Sequence, residues 1–325
     1  ILHIFLSFCS LLYFFRSSRD ILNRIEDIIL GIVTSLSQDE APVLKLPNRS
    51  SWANISNTYA TKRDIYYNNT QLFGSQATVD SIVDDISCML RAPRRSLHVL
   101  ATSKGLISGD LCYMEEDGMR IDCRSSSAAV PVSSNIAGIR NIVSSAKFII
   151  IVEKDATFQR LMDDDFCTKL PPCVIITGKG VPDMNSRLMV RKLWDTLHVP
   201  IFALVDSDPH GIEIMCIYKY GSMAMSFEAH SLTVPSVMWL GLLPSDLQRL
   251  QVPSDVLIPL TKNDEKKLSS LLQRPYLTDQ PDWQKEMEVM QRTKVKAEIQ
   301  SLAAISPDFL TNIYLPNKLR YGGWV

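Results

Sequence analysis

Three short apolar runs decide the fold of the second half of the chain: KFIIIVE (147–153), PCVIIT (172–177) and VPIFALVD (199–206). Two amphipathic stretches separate them, ATFQRLMDDDF (156–166) and SRLMVRKLWDTLH (186–198). Apolar strands that alternate with helices are typical of a parallel sheet whose two faces are both buried. The pattern therefore predicts an α/β domain with a mostly parallel sheet.

The alternation continues toward the C-terminus. A helix is expected at GIEIMCIYKYGS (211–222) and a strand at SVMWLGL (236–242). Beyond Pro244 the pattern predicts helices, at DEKKLSSLLQRP (264–275) and DWQKEMEVMQRTKVKAEIQSLA (282–303). We expect these C-terminal helices to pack back onto the sheet.

The region before the sheet has a different order of elements. Apolar residues at helical spacing predict helices at 20–36 and 76–90, separated by a polar loop at 37–58. Pro93 opens a third predicted helix, RRSLHVLAT (94–102), and LCYMEEDGMRIDC (111–123) is typical of a hairpin that turns at Asp117-Gly118. Helices followed by a hairpin favour a winged helix-turn-helix, although small helical domains with a hairpin are also common.

Composition excludes wholesale disorder and gives little hint of a partner. The 325 residues are 46% apolar and carry a net charge of −1, whereas proteins that coat nucleic acid are strongly basic. Seven cysteines without a C-x-x-C pair predict reduced, mostly buried thiols in an intracellular protein, and no His or Cys spacing suggests zinc.

The N-terminal segment resembles neither a membrane helix nor a signal peptide. The apolar run 1–15 is short for a membrane span, and Arg16 and Arg19 follow the run instead of preceding it. We interpret residues 1–19 as a disordered or mispredicted N-terminal segment, arising from a fragment boundary or a mispredicted first exon. No later segment is long enough to span a bilayer, so a membrane partner is not expected.

Carboxylates stand where two of the predicted strands end. Glu153 closes the first apolar run, and Asp206 and Asp208 follow the third. Strand C-termini form the binding crevice of such sheets, and three clustered carboxylates would repel unless a hard cation such as Mg²⁺ compensated them. Alternatively, Asp206 and Asp208 cap the next helix.

Two further features near the strand ends give weaker signals. His210 could act as a general base, but a single histidine in a turn is more often structural. Gly178-Lys179-Gly180 could bring backbone amides and an ammonium group to a phosphate, although glycine turns after strands are ordinary.

Adjacent tyrosines lie ahead of the second predicted helix. Tyr66 and Tyr67 would ordinarily be half-buried aromatic residues. A phenol can also attack a phosphodiester if its proton is removed and the phosphate charge is neutralised. Arg63 precedes Tyr67 by four residues, so a helical segment would place both on one face.

Four motifs, KRDIYY (62–67), VEKDATFQRL (152–161), TGKGVPD (177–183) and DSDPHG (206–211), occur in this order. Together they resemble the topoisomerase VI A chain family, which includes its eukaryotic meiotic relatives, the double-strand-break transesterases. The likeness extends from about Thr58 to Val325 and is close to the animal meiotic members. It includes GIRNIVSSAKFIIIVEKD (138–155), IYKYGSMAMSFEAH (217–230) and YLPNKLRYGGW (314–324).

The resemblance implies a two-domain architecture: a winged-helix domain of the catabolite-activator type at 20–135, then a Toprim domain with C-terminal helices at 136–325. It implies that Tyr67 is the nucleophile with Arg63 as its electrostatic partner. By the same resemblance, Glu153, Asp206 and Asp208 would hold Mg²⁺.

The family also implies partners and a location. Two chains would cut the two strands of double-stranded DNA in the nucleus, each joining its tyrosine to a 5′ phosphate. Each active site would be shared between protomers of a homodimer, or of a 2:2 heterotetramer with a topoisomerase VI B-like subunit. That B-like partner would handle ATP, and no G-x-x-x-x-G-K-[ST] motif occurs here.

Local charge is compatible with a DNA partner. Residues 60–104 carry six basic and four acidic side chains, whereas residues 147–215 carry eight basic and ten acidic ones. A mildly basic docking region would thus precede an acidic domain. We expect DNA contacts from Arg94, Arg95, Lys104 and Lys179.

The sequence departs from the family before the tyrosine motif, where an apolar helical segment is missing. The missing segment leaves open a non-cleaving DNA-binding or assembly form. Within the family, a true topoisomerase VI A chain that reseals the DNA it cuts is a second alternative.

Overall fold

The computed structural model describes residues 60–68, 70–90, 94–97, 99–124, 128–222 and 229–325, together with residue 30; at 88–90, 95 and 96 it describes the backbone alone. The chain divides into two compact units between Leu100 and Ala101. The helix predicted at 20–36 and the loop at 37–58 lie, apart from residue 30, outside the described residues.

Short helices around a small apolar core make up the described part of the first unit. Its elements are β1 (Ala60–Thr61), α1 (Lys62–Asn68), α2 (Thr70–Phe73), α3 (Gln76–Leu90), a 3₁₀ turn (Arg94–Leu97) and β2 (Val99–Leu100). Helix α3 has the predicted bounds, and its buried face packs on Ile65 and Val99. Strands β1 and β2 pair in parallel.

The helix predicted at 94–102 is wrong beyond its first turn. Of the described residues in this stretch, only Arg94–Leu97 is helical, as a 3₁₀ turn, and Val99–Leu100 form strand β2. Pairing of Val99 with Ala60, 39 positions away in the chain, replaces the local helical hydrogen bonds. This long-range pairing is invisible to helical periodicity.

Strands of the second unit form a central sheet and two small ones. The strands are β3 (Leu106–Gly109), β4 (Cys112–Met114), β5 (Arg120–Asp122), β6 (Val130–Pro131), β7 (Arg140–Val143), β8 (Phe148–Val152), β9 (Cys173–Thr177), β10 (Ile201–Leu204), β11 (Met238–Gly241), β12 (Ile258–Pro259) and β13 (Val295–Lys296). The central sheet has the order β11-β10-β8-β9-β3-β6.

Helices and turns complete the second unit. The α-helices are α4 (Asp155–Asp163), α5 (Phe166–Lys169), α6 (Met184–Leu197), α7 (Pro209–Tyr220), α8 (Ala229–Leu232), α9 (Pro244–Arg249), α10 (Lys262–Leu272), α11 (Pro281–Thr293) and α12 (Leu315–Tyr321). The 3₁₀ turns are Ile136–Gly138, Ser254–Val256, Pro275–Leu277 and Ile299–Ala304, and Phe309–Tyr314 is π-helical.

The four predicted apolar strands pair in parallel, as β9-β8-β10-β11. Every residue of β8 is buried, and its side chains alternate between two cores. Ile149 and Ile151 pack toward α6, α7, α10 and α11, whereas Ile150 and Val152 pack toward α4, α5 and α12. Helices thus cover both faces, which explains why the strands are continuously apolar.

Residues ahead of the predicted domain boundary at 135/136 also join the central sheet. Strand β3 pairs antiparallel with β9, and β6 extends the same edge. The predicted hairpin forms from β4 and β5, and β7 adds a third strand to it. The hairpin lies in the second compact unit. The domain limits and the winged-helix assignment remain predictions.

The long helix predicted at 282–303 is wrong in its second half. Helix α11 ends at Thr293, and Lys294 adopts a left-handed conformation with φ of 58°. The chain then extends as β13, which pairs with β12, and Ala297 bridges to Ser207. Long-range pairing again overrides a locally helical pattern.

A buried ion pair anchors the C-terminal helix α12. The Nζ atom of Lys318 lies 2.8 Å from Oδ2 of Asp246, and the two side chains are 3% and 2% exposed. The hydroxyl of Tyr314 donates to the same carboxylate, and the ammonium also donates to the Gly323 carbonyl. Burial lowers the pKa of Lys318.

We predict that Lys318→Met lowers the free energy of unfolding by about 3 kcal/mol, because it leaves the buried Asp246 carboxylate with only the exposed Arg249 as a cation. Urea denaturation would measure the loss. Lys285→Met is the matched control, since this lysine is 71% exposed beside Asp282 and its loss should leave the transition unchanged. Equal stability of the two variants would contradict the importance of the buried pair.

Candidate active site

The predicted nucleophile lies on helix α1 of the first unit. Thr61 and Asp64 hydrogen-bond reciprocally at its start, in a capping-box arrangement. Lys62 ties the helix to α3, because its Nζ atom lies 2.8 Å from Oδ1 of Asp84. The segment is helical, as the site prediction requires.

Helix α1 presents its second tyrosine to solvent. Ile65 is buried and Tyr66 half-buried, whereas Tyr67 is 70% exposed. Arg63 is also exposed and lies one helical turn before Tyr67, so both stand on the same face. Tyr67 is therefore not the half-buried aromatic residue that the sequence alone would suggest.

The predicted acidic residues lie at the carboxyl edge of the central sheet. Strands β8 and β10 are parallel neighbours, with Val152 opposite Leu204. This register brings Glu153 beside the segment that follows β10, where its Oε2 accepts a hydrogen bond of 2.8 Å from the backbone amide of Asp206. Both carboxylates are buried.

Burial disfavours charge on both acids. Burial, together with the charge of Asp206, raises the pKa of Glu153 to about 7, although the hydrogen bond from the Asp206 amide opposes the shift. Burial also raises the pKa of Asp206, although hydrogen bonds from Lys154 and the Ile299 amide oppose the shift. A nearby positive charge would therefore stabilise the ionised form of both carboxylates.

Sequence reasoning gave no role to the groups that hold Asp206. The Nζ atom of Lys154 lies 2.7 Å from Oδ2 of Asp206 and 3.1 Å from Oε1 of Glu298. The other oxygen, Oδ1, accepts 2.9 Å from the backbone amide of Ile299. Lys154 could have been noticed because it directly follows Glu153. Ile299 gave no signal, because it stands 93 positions after Asp206.

Asp208 behaves as the capping alternative describes. It is the N-cap of α7, and its Oδ1 accepts a hydrogen bond of 2.6 Å from the amide of Gly211. Asp206 does not cap this helix. The two residues of the Asp-x-Asp motif therefore have different local partners, and only Asp206 lies directly against Glu153.

The residues fit a hard divalent cation in chemistry, although a complete three-ligand cluster is not assembled. Within the described ranges, no group of three or more His, Cys, Asp or Glu side chains is arranged to hold a metal ion. Glu153 and Asp206, however, supply two neighbouring buried carboxylates, and the ammonium of Lys154 already stands beside them as a cation. Oxygen donors of this kind suit Mg²⁺.

The other residues that the sequence predicted for the site lie on several different elements of the fold. His210 is exposed, with its Nε2 atom 3.8 Å from Oδ1 of Asp264. Lys104 and Lys179 come together, since Nζ of Lys104 donates to the Lys179 carbonyl, while Lys179 pairs with Asp155 at 3.1 Å. Arg94 lies in the 3₁₀ turn of the first unit, and the side chain of Arg95 lies outside the described residues.

Other sequence-based expectations concern thiols and membranes. Four of the five described cysteines are buried, as expected: Cys112, Cys123, Cys173 and Cys216.

Among the helices that the structure describes, none combines the length and the apolar character needed to cross a bilayer.

Sequence comparison shows the family to which the chain belongs. Residues 148–319 match the Toprim domain family of Spo11 and the A-type component of topoisomerase 6, and residues 44–99 match the family described as "Type IIB DNA topoisomerase". The chain belongs to this Spo11 and topoisomerase 6 family, whose members are topoisomerase-like enzymes, and the predicted Toprim domain is confirmed.

Individual relatives are similar over most of the chain. Human "Meiotic recombination protein SPO11" is 58% identical, and its mouse counterpart is 56% identical; each alignment covers 95% of this chain and 89% of the relative. The A-type component of DNA topoisomerase 6 from Arabidopsis thaliana is 39% identical, over 83% of this chain and 63% of the relative. The resemblance found in the motifs is thus confirmed.

Gly211 offers a test of how tightly the acidic pair is packed. A Cβ atom there would lie 2.6 Å from the carbonyl oxygen of Asp206 and 2.9 Å from Oε2 of Glu153. We expect Gly211→Ala to lower the free energy of unfolding by about 1–3 kcal/mol, the usual cost of overpacking.

His210→Ala is the neighbouring control, because the His210 side chain is 57% exposed; urea denaturation of both variants makes the comparison. Helix propensity alone would make Gly211→Ala stabilising. A more stable Gly211→Ala protein would therefore contradict the close packing around the two carboxylates.

Proposed function

We propose that this protein is a Mg²⁺-dependent DNA transesterase that makes meiotic double-strand breaks through a covalent 5′-phosphotyrosyl intermediate. The observation that carries the proposal is the buried pair Glu153 and Asp206 at the carboxyl edge of a Toprim sheet. Relatives that are 58% and 56% identical are named as meiotic recombination proteins, which supports the meiotic role.

Tyr67 is the proposed nucleophile. Its exposure leaves the phenol accessible to a DNA phosphate. The phenolic oxygen would form a bond to phosphorus while the bond from phosphorus to the 3′ oxygen breaks, which releases a 3′ hydroxyl. One phosphodiester replaces another, so the step needs no ATP. Arg63, on the same face, would neutralise phosphate charge as the phenol loses its proton.

Glu153 and Asp206 would hold Mg²⁺, with Asp208 as a third ligand once its carboxylate leaves the Gly211 amide. Bound there, Mg²⁺ would stabilise the negative charge that develops on the reacting phosphate. The hydrogen bonds from the Asp206 and Ile299 amides would keep the two acids in place.

We further propose the assembly that the family implies. Two chains act on double-stranded DNA in the nucleus, as a homodimer or as a 2:2 heterotetramer with a topoisomerase VI B-like subunit, and each active site combines residues of both protomers. The first domain is a winged helix of the catabolite-activator type. Arg94, Arg95, Lys104 and Lys179 contact the DNA backbone, and the pairing of Lys104 with the Lys179 carbonyl supports placing those two together.

Two observations favour alternatives to the proposed transesterase function. Identity of 39% to a component of topoisomerase 6 favours an enzyme that also reseals DNA with an ATPase partner of the B type. The alignment with the human relative spans 354 positions, more than the 325 residues of this chain. Some positions of that alignment therefore have no counterpart here, which favours a non-cleaving assembly form.

A covalent-complex assay tests the nucleophile. The purified protein, with its B-like partner, would be incubated with duplex DNA and Mg²⁺ and then denatured, and protein-linked 5′ ends would be counted. We expect Tyr67→Phe to abolish the linkage because it removes the attacking oxygen. Tyr66→Phe is the matched control and should retain it. Covalent complexes formed by Tyr67→Phe would overturn the assignment, and none with the unaltered chain would favour the assembly form.

The same assay tests the metal ligands. We expect Glu153→Gln and Asp206→Asn to reduce the linkage by at least about 100-fold, since each removes a carboxylate charge from the hard-cation site. Titration with Mg²⁺ would separate weaker metal binding from a slower reaction. Full activity of both variants at low Mg²⁺ would exclude these residues as ligands.

A further inference from the structure

Lys154 is the one cation that contacts Asp206 within the described residues. We propose that Lys154 is a resident cation that holds the acidic site in its metal-free state and moves to Glu298 when Mg²⁺ binds. This makes it a positioning residue that sets the metal affinity of the site. The inference rests on the proposed Mg²⁺ site of Glu153 and Asp206.

Both oxygens of the Asp206 carboxylate already have partners. Its Oδ1 atom accepts from the Ile299 amide, and its Oδ2 atom lies 2.7 Å from Nζ of Lys154. The side chain of Asp206 is only 4% exposed, so solvent contributes little to its charge balance. In the absence of metal, the ammonium is therefore the main counter-charge of this carboxylate.

A divalent ion bound at Oδ2 would lie within a few ångströms of the ammonium. Like charges at such a distance repel strongly in a partly buried site. Metal binding and the Lys154–Asp206 contact therefore compete. The need to displace Lys154 lowers the affinity of the site for Mg²⁺.

Glu298 provides the place to which Lys154 can move. Its Oε1 atom already lies 3.1 Å from Nζ of Lys154, and its side chain is 54% exposed. A small rotation would let the ammonium leave Asp206 while it keeps Glu298 as its partner. Because Glu298 follows Ala297, which bridges to Ser207, the same segment fixes both the alternative partner and the Asp-x-Asp loop.

The test measures Mg²⁺ binding to the protein without DNA, by calorimetry and by the Mg²⁺-dependent rise in melting temperature at constant ionic strength. We expect Lys154→Met to bind Mg²⁺ roughly threefold to tenfold more tightly, because no ammonium must be displaced. The metal-free form of this variant should also melt at a lower temperature, since Asp206 loses its counter-charge.

Glu298→Gln leaves the Lys154 residue unaltered and should have the opposite effect on Mg²⁺ affinity. Without its alternative partner, Lys154 should remain on Asp206, and Mg²⁺ should bind roughly threefold more weakly. In the double variant Lys154→Met/Glu298→Gln, the effect of Glu298 should disappear, because it acts through Lys154.

Arg160→Met is the charge-matched control. Arg160 lies on helix α4, which begins directly after Lys154, and pairs with Asp164 and Asp308, not with the proposed ligands, so its loss should leave Mg²⁺ affinity nearly unchanged. Wild-type protein that binds no Mg²⁺ would overturn the metal site and this inference together. Wild-type binding with unchanged affinity in both Lys154→Met and Glu298→Gln would overturn the inference alone.

Discussion

The parallel register of β8 and β10 is the constraint on which the acidic site depends. With Val152 opposite Leu204, the chain must place Glu153 against the backbone of Asp206. Both carboxylates are then buried, and a buried charge is tolerated only with a counter-charge and hydrogen bonds. Burial of the sheet on both faces stabilises the fold. The same burial leaves two carboxylates out of solvent, where a cation can neutralise their charge.

The C-terminal segment after α11 supplies a hydrogen bond to Asp206 and an acidic partner to Lys154. Its left-handed turn at Lys294 ends the helix, and the extended residues that follow run along the Asp-x-Asp loop. The Ile299 amide then reaches Asp206, and Glu298 reaches Lys154. An element that is remote in sequence therefore completes a site whose acidic residues all come from the strand ends.

The net charge of −1 is the average of two regions with opposite charge excess. The exposed Tyr67 and Arg63 belong to the region with a basic excess, whereas the buried acids belong to the region with an acidic excess. Under the proposed function, phosphate binding requires the first kind of surface and metal binding requires the second. A chain that performs both tasks would average toward neutrality, so composition alone argued misleadingly against a nucleic-acid partner.

The sequence by itself determined the parallel strands, the helix Gln76–Leu90, the hairpin and the positions of Glu153 and Asp206, because apolar periodicity and strand ends are local signals. It also carried the family motifs. Only the tertiary structure decided that the chain extends after Thr293, and that Lys154 and the Ile299 amide hold Asp206. These features depend on pairings between distant segments, whose energy outweighs local propensity and leaves no periodic trace in the sequence.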